Sequence, residues 1–301
     1  MSRVGRFVLS RLRTETSIPA PIAMTDPPIP VALQLRARPA KEVHKARRPT
    51  VMVVPTYNER ANIGDLVLSF FAHLQGTQLL VVDDASPDGT ADYCDELRAT
   101  YPDLRVLRRT GERGLGRAYL AGMKWGLENG YEVIGTMDGD LSHDPAYLPR
   151  MLALVEEADV VIGSRYIRDG GTINWQVRRI ILSWLANRYA ARLLRIPAHD
   201  LTSGFRLYRR WVIQSLHVES MKSTGYSFLV ELLYRSHRSG AKIAESAIVF
   251  YDRTMGASKL RSREIYLGAI NLLRLRFSAV KSSQRPTETE PAAEARFDRP
   301  L

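Results

Sequence analysis

Two aspartates one residue apart, Asp138 and Asp140, end the apolar run of Tyr131–Pro145 (YEVIGTMDGDLSHDP). Side chains at i and i+2 of an extended segment point the same way. The two carboxylates can therefore converge on one point, where they repel unless a cation or proton lies between them. Hard oxygen ligands suit Mg²⁺ or Mn²⁺, and an ion held by one or two protein carboxylates completes its shell with substrate phosphate oxygens. A phosphorylated substrate is implied. Gly139, between the acids, allows a backbone turn that a side chain would hinder. An Asp-x-Asp is also an ordinary acidic turn after a strand, so the surrounding elements decide.

Val133, Ile134 and Met137 favour a buried strand that delivers the acids to its C-terminal edge. From Thr50 onward, short apolar runs (TVMVVP, LLVVDD, LRVLRR, the central run and EADVVIGSR) alternate with helices expected over 61–73, 87–101 and 114–129, Pro87 suiting a first helical turn. Such alternation implies right-handed βαβ units and a mostly parallel, Rossmann-like sheet flanked by helices. Ligands bind these sheets beyond the C-terminal ends of the strands. Those ends carry Pro55, Tyr57, Asn58 and Glu59; Asp83 and Asp84; Asp138 and Asp140; Ser164 and Arg165. Polar chemistry collects on one edge, although a loop such as DASPDG is adequate as a turn without any ligand.

Composition narrows the class. The 301 residues are 45% hydrophobic and 25% charged, with a formal net charge of +11. Such a charge attracts polyanions, whether nucleic acid, anionic lipid or phosphorylated substrate. A single cysteine, Cys94, excludes an internal disulfide and fits a reducing compartment. No apolar stretch approaches the roughly 20 residues that span a bilayer, and the first residues make a poor secretory signal. The cytosol is the expected compartment. The dinucleotide fingerprint is missing after the first strand, GERGLG following the third instead, and no G-x-x-x-x-G-K-[ST] occurs. A Rossmann dehydrogenase and a P-loop NTPase are both disfavoured.

Three regions are expected: a disordered basic extension over 1–48, a catalytic domain over 49–281 and a disordered tail over 282–301. The extension holds ten Lys/Arg against three acids, most of the chain's net charge. Asn174–Ile196 reads as a helix that places Arg179 and Ser183 on one face, with Arg188, Arg192 and Arg195 nearly opposite and Trp175, Ile180, Ile181, Trp184, Leu185, Tyr189 and Leu193 over the rest. Arginines among tryptophans and leucines suit an interfacial helix, and equally a packed one whose arginines reach out to solvent. DLTSGFRLYRR suggests a strand or turn, and 225–240 an amphipathic helix ending at glycine. KIAESAIVFYDR reads as one strand ending at Asp252 and Arg253. Arg253 and Lys259 then flank a glycine-containing loop that could clamp phosphates. A final amphipathic helix is expected over Glu264–Lys281.

The ordered blocks PTYNE, VVDDASPDGT, LGRAYLAGM, MDGDLSHDP, GSRY, LTSGFRLYR and DRTMGASKL resemble those of family 2 glycosyltransferases of the GT-A fold, specifically polyprenyl-phosphate (dolichyl-phosphate) mannosyltransferase catalytic subunits. The resemblance runs from about Thr50 to Lys281. It implies that Pro55, Tyr57, Glu59, Val81 and Asp83 hold guanosine, and that Asp138, Gly139 and Asp140 hold the diphosphate and metal. Ser142 would be a third metal-shell position, where some relatives carry Gln. Arg165, Arg253 and Lys259 would contact donor phosphates and sugar, and with Asp140 would carry catalysis. Arg179 and Ser183 would grip the lipid phosphate. The implied partners are GDP-mannose, a polyprenyl monophosphate, the cytoplasmic face of a membrane and a separate membrane subunit, with Mg²⁺ or Mn²⁺ as cofactor and no nucleic acid. A UDP-glucose-dependent polyprenyl-phosphate glucosyltransferase, or a basic membrane or RNA adaptor without catalysis, are the competing readings.

Overall fold

The computed structural model describes residues 44–216, 221, 226–252 and 272–277. Its main sheet has seven strands in the order β3-β2-β1-β4-β7-β5-β8. These are β1 (His44–Thr56), β2 (Leu74–Asp83), β3 (Leu104–Arg108), β4 (Val133–Thr136), β5 (Val160–Ser164), β7 (Arg206–Arg209) and β8 (Ile243–Ala247). All neighbours pair in parallel except β7, which runs antiparallel between β4 and β5. A small parallel pair, β6 (Gly171–Ile173) and β9 (Val249–Tyr251), lies apart.

The sheet forms because its central strands are apolar on both sides, as a parallel sheet covered on both faces requires. Alternate residues of β1 and β2 divide between two cores. Val51, Val53, Leu80 and Val82 join α3 (Leu115–Glu128), α6 (Arg210–Ser215) and α7 (Tyr226–Arg238). Met52, Val54, Leu79 and Val81 join α1 (Ile63–His73), α2 (Thr90–Leu97) and α4 (Leu148–Leu154). Glycine lets α3 lie close on the sheet: a Cβ at Gly122 would collide with Val53 Cγ1. Fully burying each Val, Leu or Ile contributes about 1.5–3 kcal/mol.

Several boundaries differ from expectation. β1 starts at His44, so the last residues of the supposed basic extension are ordered. Arg48 explains part of this, since it pairs with Glu132 at 2.9 Å and Glu156 at 3.0 Å. α2 starts at Thr90 rather than Pro87, because the Asp88 carboxylate accepts the Thr90 amide at 3.0 Å and holds the preceding residues in a turn. The single strand expected over 242–253 is two, broken at buried Ile248. There the amide of Ile248 donates to the Ser164 carbonyl and its own carbonyl accepts from Gly171, which carries the chain from the large sheet to the small one. α5 (Val177–Leu194) is shorter than predicted, leaving Trp175 before it and closing at Arg195 in a left-handed conformation, φ 56°. Residues 272–277 are helical, inside the final helix expected over 264–281.

Candidate active site

The two aspartates follow β4 directly and are held by different devices. Buried Tyr119, on α3, donates its hydroxyl to Asp138 Oδ1 at 2.7 Å. The Asp138 amide donates to His143 Nδ1 at 3.1 Å, which places the imidazole proton on Nε2. Burial lowers the His143 pKa, so the ring is neutral, and it stacks on Phe205 at 5.1 Å. Gly204 is needed beside them, because a Cβ there would lie 3.2 Å from both Asp138 Oδ1 and the Tyr119 hydroxyl. Asp140 Oδ1 accepts from both the amide and the hydroxyl of Ser142. The chain bends over 139–141, and a side chain at Gly139 would crowd it, since a Cβ there would sit 3.2 Å from the Pro55 carbonyl oxygen; the positive φ, 64°, falls on Leu141.

The ends of β1 and β2 supply the adjoining surface. Tyr57 is 44% exposed, takes a 2.7 Å hydrogen bond from Arg113 and stacks under that guanidinium at 4.4 Å. Pro55 and Glu59 are half-buried, and Glu59 accepts from the Asn62 side chain at 2.8 Å. Asp83 is buried and shapes the loop, accepting from Thr56 Oγ1 at 3.0 Å and the Ser86 amide at 2.9 Å. Asp84 binds the Gly114 amide at 2.9 Å and pairs with Arg109. Val81 is not brought to this edge. Its side chain is wholly buried in the core two residues before the strand ends.

Arg165, at the end of β5, is also buried, and its Nε and Nη2 are committed to Asp200 at 2.7 and 2.8 Å. Burial pushes the Asp200 carboxyl up, but Arg165 against it more than reverses the effect, leaving its pKa below the ordinary value. Asn187 of α5 ties into this group by accepting the Leu201 amide at 2.7 Å and donating to Thr202 at 3.2 Å. Arg179, in the first turns of α5, donates from Nη1 to both oxygens of Asp252 at 2.9 and 3.0 Å and faces the Trp175 ring at 3.9 Å. Ser183 follows one turn later, half-buried. Arg253 and Lys259 lie outside the described residues.

Rings join the two regions. His143 meets Phe250 at 5.3 Å, and Phe250 meets Trp175 at 5.5 Å. Along α5 only Asn187, Ala190 and Leu194 are buried, while Val177, Ile181, Leu182, Trp184, Leu185 and Tyr189 are exposed. Among the described residues, then, this is not a helix packed on its apolar face. Sequence reasoning missed Tyr119, His143, Asn187 and Asp200. Each lies within or beside a motif already singled out, but only the folded chain supplies its partner.

The chain matches the Glycosyl transferase family 2 model over residues 51–216. It is 43% identical over 218 residues to the polyprenol monophosphomannose synthase of Mycolicibacterium smegmatis, covering 72% of this chain and 82% of that protein. It is 40% identical over 222 residues to the undecaprenyl-phosphate mannosyltransferase of Micrococcus luteus, covering 74% and 91%. Two solved structures of glucosyl-3-phosphoglycerate synthase from Mycobacterium tuberculosis, both with Mn²⁺ and UDP, superpose with TM-scores of 0.52 and 0.53 at 21% and 22% identity, covering 84% and 83% of this chain and 85% and 84% of theirs. Those two share its fold. The strand order, the acid pair and these similarities agree: the chain belongs to glycosyl transferase family 2, has the GT-A fold and is a glycosyltransferase.

Proposed function

We propose that the enzyme transfers mannose from GDP-mannose to a polyprenyl monophosphate, with inversion, giving polyprenyl-phosphate β-mannose and GDP. One observation carries this reading: the ring contacts from His143 through Phe250 and Trp175 to Arg179 set the acid pair beside a helix with an outward apolar face. A sugar-nucleotide edge and a lipid-facing helix are what such a transfer needs together. The names of the two relatives support both the sugar and the acceptor.

Asp138 and Asp140, with the Ser142 hydroxyl, offer oxygen donors that suit Mg²⁺ or Mn²⁺. Among the described residues no three His, Cys, Asp or Glu side chains converge, which fits an ion completed by donor phosphate oxygens. Such an ion would offset charge on the departing diphosphate. The protein's own residues do the rest. Pro55, Tyr57, Glu59 and Asp83 form the surface for the base and ribose, and Arg179 and Ser183 hold the acceptor phosphate. The acceptor is already anionic, so no strong base is required. One of its oxygens forms a bond to the sugar C1 as the bond from C1 to GDP breaks, and alignment of the two supplies most of the acceleration. Arg253 and Lys259 are proposed as phosphate contacts of the donor, and Arg165, held on Asp200, as a residue that positions the edge of the site.

Among the described residues no helix is long and apolar enough to cross a membrane. The exposed side chains of α5 are proposed to rest on the cytoplasmic face of the bilayer, with arginines at headgroup level. The test is incubation with radiolabelled GDP-mannose, polyprenyl phosphate and Mg²⁺ or Mn²⁺, followed by organic extraction. Label in the lipid phase that needs both metal and acceptor supports the proposal. Label from UDP-glucose and none from GDP-mannose would replace it with the glucosyltransferase reading.

A further inference from the structure

Three buried donors beside α5 have no acceptor among the described residues. The Tyr166 hydroxyl, the Trp175 indole N–H and the Arg179 Nε–H are closed off from solvent and form no hydrogen bond among the described residues. They belong to one cluster. The Arg179 guanidinium faces the Trp175 ring at 3.9 Å, and that of Arg165 lies 5.3 Å from the Tyr166 ring and 5.4 Å from the Trp175 ring. Burial raises the Tyr166 pKa, which keeps the phenol protonated and able to donate; Arg165 and Ser183 act in the opposite sense. Ser183 thus stands next to Tyr166, without the alignment of a hydrogen bond.

An unsatisfied buried donor costs about 1–3 kcal/mol, and native proteins hold few of them. Three in one place, two of them uncharged and all pure or potential donors, specify a ligand that only accepts. A phosphate monoester dianion is such a ligand. Arg179 Nη1 already holds an oxyanion, the Asp252 carboxylate. The apolar side chains of Ile173, Val177 and Ile181, near Trp175 in the chain on either side, are exposed by 41%, 70% and 53%. That setting suits a phosphate carried on a hydrocarbon.

We propose that Tyr166 and Trp175 are acceptor-binding residues, donating from Oη and Nε1 to the monophosphate that Arg179 and Ser183 also hold. The assignment rests on the acceptor reading above and adds two uncharged donors to it. A monoester phosphate presents three free acceptor oxygens to these four donors, where a carboxylate presents two.

The test is calorimetric titration of a short, water-soluble prenyl monophosphate, with the matching prenyl alcohol as control, into wild type, Tyr166→Phe and Trp175→Phe. Each variant keeps an aromatic side chain and loses one donor, the Tyr166→Phe ring being unchanged and the Trp175→Phe ring smaller. The expected result is a Kd for the phosphate raised about tenfold in each, the value of one hydrogen bond to a charged group, with the KM for GDP-mannose unchanged. Wild-type affinity in both variants overturns the proposal, as does a wild-type protein that binds no prenyl phosphate. If Trp175→Phe does not fold, the wild-type indole N–H resonance of Trp175 takes its place. It should move downfield with the phosphate and not the alcohol, while that of Trp211, bonded to Asp159 at 3.0 Å, stays put. An unmoved Trp175 resonance overturns the assignment. Weakened binding in the variants of an enzyme that transfers no mannose would leave these residues assigned and remove the mannosyl transfer reading. Transfer with an unchanged acceptor KM in both variants would do the reverse.

Discussion

Replacing Tyr119 by Phe removes one hydroxyl and tests how Asp138, proposed above as a metal ligand, is held. That hydroxyl donates to Asp138 Oδ1 at 2.7 Å from a wholly buried ring, which also stacks on Phe228 at 6.5 Å. Phe keeps the stack and loses only the donor. A hydrogen bond to a charged group is worth about 1.5–3 kcal/mol, or roughly a 10- to 150-fold change in an equilibrium constant. Residues that orient a metal ligand independently give a similar figure, about 10- to 100-fold in metal affinity. Mn²⁺ affinity should therefore fall by about 10- to 100-fold, read directly by calorimetry or by the EPR signal of free Mn²⁺. At saturating metal the acceptor KM should be unchanged. The thermal midpoint should fall too, since Asp138 Oδ1 loses its donor in the folded protein. An unchanged Mn²⁺ Kd would refute the reasoning, showing that Asp138 either does not bind the ion or does not depend on Tyr119.

Asp200→Asn should destabilise the fold by about 3–5 kcal/mol, because it leaves the buried Arg165 guanidinium without its counter-charge; urea denaturation measures it, and a loss under about 1 kcal/mol would contradict a buried pair. Burial depresses the pKa of His143 and of His237, so below about pH 6.5 the unfolded chain takes up protons that the native one refuses. The stability that the neutral rings contribute is present above that value and is lost as pH falls through it. His143→Gln should flatten the decline in the urea midpoint, and an unaltered profile would place the titration elsewhere. Burial pushes the Cys94 thiol up to about 12, so a thiol reagent should modify the protein only after denaturation; prompt labelling of the native enzyme would show that α2 opens.

The ends of β1, β2, β4 and β5 were legible because a parallel sheet demands continuous apolar strands and its chemistry sits where they stop. Asp138 and Asp140 followed from that rule alone. What could not be read were contacts between distant residues. Asp200 lies in a motif visible as LTSGFR and its flank, yet its partner Arg165 is 35 residues away, and nothing local marks a carboxylate that will be buried. The reversal of β7 was equally hidden, because a four-residue strand carries no sign of its direction. The bend at Gly139 was legible, but not that the left-handed residue would be Leu141, whose side chain is buried in the core. Val81 was carried over from family resemblance, and its place in the middle of an apolar run already pointed inward.

Because β7 runs against its neighbours, its beginning rather than its end arrives at the reactive edge. The short connector that leads into it therefore touches everything at once: Asp200 grips Arg165, Leu201 meets Asn187 of α5, Gly204 makes room for Asp138, and Phe205 lies under His143. Substitutions in α5 are thus felt at the acids through this stretch as well as through the rings of Trp175 and Phe250. A chimera that borrows α5 from a relative must take residues 200–205 along with it, or the transplanted helix will sit beside a site that no longer fits it.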